Sequence, residues 1–127
     1  MYRLLIIEDD LGIASAVEKQ ALSWDFSVKC VENFRDVMKE FAGFAPHLVL
    51  LDLALPFYNG YHWCSEIRKI SQVPIIFISS AADNMSIVMA MNMGADDFIP
   101  KPFEQTVLIA KIQALLRRAY NFSQGNP

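Results

Sequence analysis

The sequence predicts an α/β domain: a doubly wound, five-stranded parallel sheet with helices on both faces. Three observations carry this. Short apolar runs rich in Leu, Ile and Val alternate with longer segments patterned at helical spacing. The run at residues 48–51 shows no polar alternation, as a strand buried on both faces should. The chain has 127 residues, 54% of them hydrophobic, which suits one packed core and excludes a disordered chain. A net charge of −3 gives this segment no general attraction to nucleic acid. No uncharged stretch reaches the roughly 18 residues of a membrane helix, so no membrane insertion is expected. The start, MYRLLIIEDD, lacks signal-peptide anatomy, and a cytoplasmic location is expected. Cys30 and Cys64 have no metal-type spacing and read as free, partly buried thiols.

The elements follow in order. Residues 4–7 form a first strand, and residues 11–24 a helix with a weak apolar face of Ala14, Val17 and Ala21. A second strand covers residues 27–31. Asn33 then offers an N-cap with Asp36 in the first turn, and Phe34, Val37, Met38, Phe41 and Ala42 make one helical stripe. The third strand, residues 48–51, runs into Asp52 and a loop with Pro56, Asn59 and Gly60. Residues 61–70 read as a helix buried through Trp63, Ile67 and Ile70. Residues 74–78 form the fourth strand, and a helix over 83–93 stops at Gly94. Phe98 and Ile99 belong to a short fifth strand. The last helix, 104–118, buries Leu108, Ile112, Leu115 and Ala119. Residues 1–118 make the domain, and 119–127 begin a linker or tail.

In an open parallel sheet, functional groups gather at the carboxyl ends of the strands. Here these ends carry Glu8-Asp9-Asp10, Asp52, Ser79-Ser80 and Lys101-Pro102. Alone, each has a plain reading: turn residue, cap or solvated ammonium. Together they do not. Carboxylates about 4 Å apart repel by roughly 4 kcal/mol per pair at an effective dielectric near 20. A hard divalent cation, Mg²⁺, resolves that repulsion. A further anion, a phosphoryl group on Asp52, gives Lys101 and Ser79 a purpose. Asp52 then stands on a rigid apolar strand because a nucleophile needs a fixed mount.

With these residues in hand, the chain resembles bacterial response-regulator receiver domains. The matching stretches are IIEDD, LLDLALP, PIIFISS and GADDFIPKPF, and the resemblance runs from Met1 to about Arg118. It implies the flavodoxin/CheY-like strand order 2-1-3-4-5. It implies that Asp52 accepts phosphate from a sensor histidine kinase, a non-enzymatic role beyond self-catalysed phosphoryl gain and slow loss. Asp9, Glu8 (through water), Asp52 and the Ala54 carbonyl would hold Mg²⁺. Lys101 would pair with the acid and then the phosphoryl group. Ser79 and Phe98 would be the switch hydroxyl and switch aromatic, and Lys101-Pro102 would be cis.

The GADDFIPKPF run and the LLRRAYNF ending look most like the OmpR/PhoB type, and within it like bacitracin-resistance regulators. That resemblance implies a C-terminal DNA-binding domain, absent here, and a phosphorylation-dependent homodimer through the fourth helix, fifth strand and fifth helix. A stand-alone receiver or phosphorelay protein remains the alternative. A phosphatase of the haloacid-dehalogenase type is disfavoured, because Ala54 stands where such enzymes carry a second Asp.

Some positions depart from the pattern. Phe98 replaces a common Tyr, Ser80 a usual Ala, and His47 a frequent Asp; His47 and His62 read as surface residues. The fourth helix, within NMSIVMAMNMGA, has no charge, so it is either deeply packed or a partner face. Ile87 and Val107 stand where the subfamily carries an Arg and a Glu. We expect an apolar dimer patch of Ile87, Met91, Val107 and Ala110, rimmed by Asp96, Asp97, Lys111 and Arg118.

Overall fold

The protein is described by a computed structural model over residues 1–121; residues 122–127, the larger part of the expected tail, lie outside the described residues. The elements are β1 (Arg3–Ile7), α1 (Leu11–Ser23), β2 (Ser27–Cys30), α2 (Val37–Phe44), β3 (Leu48–Asp52), α3 (Gly60–Arg68), β4 (Ile75–Ser79), α4 (Asn84–Asn92), β5 (Asp97–Pro100) and α5 (Gln105–Leu116). A π-helical turn, Arg117–Asn121, closes the described chain. The strands pair in parallel in the order β2-β1-β3-β4-β5, as expected. The central strands β3 and β4 are buried at every residue, which explains their unbroken apolar runs.

Two cores flank the sheet. Leu4, Ile6, Leu50, Ile76 and Ile78 face α1 and α5 through Val17, Leu108 and Ile112. Leu5, Ile7, Leu51, Ile75 and Phe77 face the other side through Val37, Phe41, Trp63 and Ile67. Alternate residues of one strand thus feed opposite layers.

Several local expectations change. Asp36, not Asn33, caps α2 by accepting from the Lys39 amide, while Asn33 turns the chain by accepting from Arg35 N–H. Phe34 therefore lies before the helix, and Ala42 is exposed rather than on the buried stripe. Ile70 falls past the end of α3 and is 67% exposed. Ala119 belongs to the π-helical turn rather than to the stripe of α5. His47 is half-buried and engaged rather than a free surface residue. Its Nδ1 accepts from Arg3 N–H at 2.9 Å, and its ring meets Tyr2 and Tyr120 edge-on at 5.1 and 5.3 Å. The Tyr120 hydroxyl donates to the His47 carbonyl at 2.6 Å, clasping the π-helical turn to the amino ends of β1 and β3. His62 is half-buried and stacks on Tyr58 at 4.4 Å.

Candidate phosphoacceptor and metal site

The parallel register sets Ile7 beside Leu51, so Glu8 and Asp52 leave neighbouring strands at the same height. Both are buried, at 2% and 4% exposure, whereas Asp9 is exposed. One carboxylate oxygen from each of Glu8, Asp9 and Asp52 lies within 4.8 Å of the others. Asp10 instead caps α1, its carboxylate accepting from the Ile13 amide.

Lys101 reaches back from the segment after β5. Its Nζ stands 2.5 Å from Glu8 Oε1 and 3.2 Å from Asp52 Oδ2. The Lys101 amide donates to the Ser79 carbonyl at 2.9 Å, and the Lys101-Pro102 peptide is cis, as the resemblance implied. Ser79 is buried at the end of β4, where its Oγ accepts from the Ala81 amide at 3.0 Å. Three strand ends, those of β1, β3 and β5, thus bring together the predicted residues Glu8, Asp9, Asp52 and Lys101, while Ser79 at the end of β4 is tied to the Lys101 segment through its backbone carbonyl.

Burial pushes the Glu8 carboxyl up; the hydrogen bond to Lys101 opposes this, and Asp52 beside it adds to it. Burial would lower Lys101, but the hydrogen bond to Glu8 and the charges of Asp52 and Glu8 outweigh it and raise its pKa. Lys101 is therefore an ammonium shared by two buried acids. Three carboxylates against one resident cation leave charge for a divalent ion, and an all-oxygen donor set suits Mg²⁺. Ala54 is exposed in the β3–α3 loop.

The mount of Asp52 includes a residue whose motif suggests only a plain turn. Gly60 N–H donates to the Leu53 carbonyl at 2.9 Å, and a Cβ at Gly60 would stand 2.3 Å from the Asp52 carbonyl oxygen. Only glycine allows α3 to start this close behind the acid. Phe57, in the same loop, has φ +70° and is exposed, with the Arg35 guanidinium 4.1 Å over its ring. Nothing in the sequence pairs Arg35 with Phe57, which meet only in the fold.

Phe98 is half-buried and stacks on Phe77, ring centroids 6.3 Å apart. The expected partner patch is scattered in exposure. Met91 and Val107 are 44% and 47% exposed, Ala110 is exposed, and Ile87 is half-buried. Its polar rim is engaged within the protomer. Asp97 pairs with Lys111 at 3.1 Å, and Asp96 with Arg68 at 3.0 Å, while Arg118 lies exposed in the π-helical turn.

Residues 4–113 match the family model described as the response regulator receiver domain. The chain belongs to that family. It is 46% identical over 123 residues to the sensory transduction protein BceR of Halalkalibacterium halodurans, covering 97% of this chain and 53% of that protein. It is 50% identical, with a TM-score of 0.84, to the N-terminal domain of the nisin resistance regulator NsrR, covering 92% of this chain and 99% of that one. It resembles DrrB, a Thermotoga maritima OmpR/PhoB homologue, at 29% identity and TM-score 0.85, covering 94% of this chain and 54% of that one. The receiver domain thus spans about half the length of the curated relative it matches. No helix among the described residues is long and apolar enough to cross a membrane.

Proposed function

We propose that this receiver domain is a phosphorylation switch whose acceptor is Asp52. The observation that carries the reading is the convergence of Glu8, Asp9, Asp52 and Lys101 at the carboxyl edge of the sheet. A carboxylate oxygen of Asp52 attacks the phosphorus of a phosphohistidine on a sensor histidine kinase. The P–N bond breaks, the imidazole takes the electron pair, and Asp52 becomes an acyl phosphate. Mg²⁺ held by Asp9, Asp52 and the Ala54 carbonyl, and by Glu8 through water, would neutralise phosphoryl charge when bound. Lys101 moves its ammonium from the acids to a phosphoryl oxygen. Ser79, whose Oγ now accepts from Ala81, turns its hydroxyl proton to another.

Movement of Ser79 opens space next to β5, and Phe98 turns further inward against Phe77. The face of α4, β5 and α5 then favours a homodimer, built on Met91, Val107, Ala110 and Ile87. In the whole cytoplasmic regulator, of the OmpR/PhoB type, a C-terminal domain would bind DNA, and likeness to NsrR supports a stimulus among antibiotic peptides. Mass spectrometry after incubation with a small phosphoryl donor and Mg²⁺ tests the acceptor. Wild type should gain one phosphoryl group and Asp52→Ala none; an unmodified wild type overturns the reading.

A further inference from the structure

Helix α4 is weakly held by its side chains. Among its residues only Ala90 is fully buried, and Met85, Val88, Met89 and Met91 are exposed. Apolar contact alone is non-directional and leaves such a helix without a fixed register. Its neighbour α3 supplies the direction. Tyr61, Cys64 and Arg68 occupy positions i, i+3 and i+7, one face of a helix, and each donates to a backbone carbonyl of α4 or of the turn ending it. The Tyr61 hydroxyl donates to Ser86 O at 3.0 Å, Cys64 Sγ to Met93 O at 3.4 Å, and Arg68 Nε to Gly94 O at 2.9 Å.

The three bonds are unequal. Arg68 also donates to the carbonyls of Ser71 and Val73 and pairs with Asp96, whose carboxylate in turn accepts from Ile75 N–H. That end of α4 is tied to α3, β4 and β5 together by a charged, multidentate group. A thiol is a weak donor. The first turn has one neutral phenol. At the opposite end, Gly94 takes φ +108°, a backbone state that favours glycine, and a Cβ there would stand 3.0 Å from the Arg68 side chain.

We propose that Tyr61 is a releasable latch on the first turn of α4, and that Arg68 and Gly94 form the pivot about which the helix turns when Asp52 is phosphorylated. The inference rests on the switch reading above and adds the residue that couples it to α4. Tyr61 is positioned to receive both halves of the signal. It follows Gly60, whose backbone is packed against the Asp52 carbonyl, so a shift of the acid moves the start of α3. Its ring lies 5.8 Å from Phe77, which stacks on Phe98, so inward rotation of Phe98 presses on the same residue. Tyr61 is a positioning residue and touches no reacting atom.

Amide hydrogen exchange on wild type and Tyr61→Phe, each with and without beryllium fluoride and Mg²⁺, tests this. The substitution keeps the ring against Phe77, and the urea midpoint checks the fold. In wild type, loading should speed exchange at Ile87 and the next amides about fivefold, the factor one net hydrogen bond carries. Ala95 and Asp96 should stay protected. Tyr61→Phe should show the faster rate already unloaded, so that its loaded-to-unloaded ratio falls to about one. Unloaded exchange equal to wild type overturns the latch. Faster exchange in both states with the wild-type ratio also overturns it, since that marks a merely structural contact. Equal acceleration at Ala95 and Asp96 overturns the pivot. The switch reading fails separately, by absence of a phosphoryl adduct on Asp52.

Discussion

Glu8 sits under opposed demands: it is buried, hydrogen-bonded to Lys101 and next to a second acid. Its raised pKa means that the folded state binds a proton that the unfolded chain has already lost. Between its ordinary value near 4.5 and its raised folded value, the contribution of Glu8 to stability falls as pH rises. We expect the metal-free domain to lose urea resistance as pH rises above about 4.5, Glu8→Gln to flatten that slope, and Mg²⁺ to restore stability above that range. A slope unchanged in Glu8→Gln would contradict this. At this scale the sequence was most legible where chemistry is dense. Asp9, Asp52 and Lys101 could be read because each lies at or just past the end of a strand and the strand ends share one edge. Gly60 and the Arg35–Phe57 contact could not, since a backbone approach and a loop-to-loop contact leave no periodic trace. His47 was misread because its partners, Tyr2 and Tyr120, lie far away in the chain.

Among the elements, β3 and β4 were the most legible, because continuous apolar runs have few alternatives in an α/β chain. The start of α2 was the least. Asn33 and Asp36 are both good capping residues, and the choice turns on which loop brings Phe41 and Val37 onto the sheet. For α4 the sequence left two readings open, and exposure of four of its apolar side chains decides for an uncovered face. If α4 and α5 carry the dimer, Val107→Asp is the sharper probe, because Val107 is exposed while Ile87 is already half-buried in the protomer. A buried aliphatic side chain contributes about 1.5–3 kcal/mol. Sedimentation with beryllium fluoride should therefore show at least a roughly tenfold weaker dimer with an unchanged urea midpoint. Dimerisation equal to wild type removes this face from consideration.

The whole molecule is organised by direction. Parallel strands send every reactive group to one edge and leave Tyr2, His47 and Tyr120 at the other. Tyr120→Phe removes the 2.6 Å bond to the His47 carbonyl and should lower stability by about 1 kcal/mol. Its rate of phosphoryl uptake should match wild type; a changed rate would show that the two edges communicate through the sheet. A strand of five residues spans roughly 16 Å. The clasp can therefore host a reporter. A fluorophore or spin label attached beside Tyr120 would sit a full strand away from the acids, able to report the opening of the clasp while the far edge of the sheet is left undisturbed.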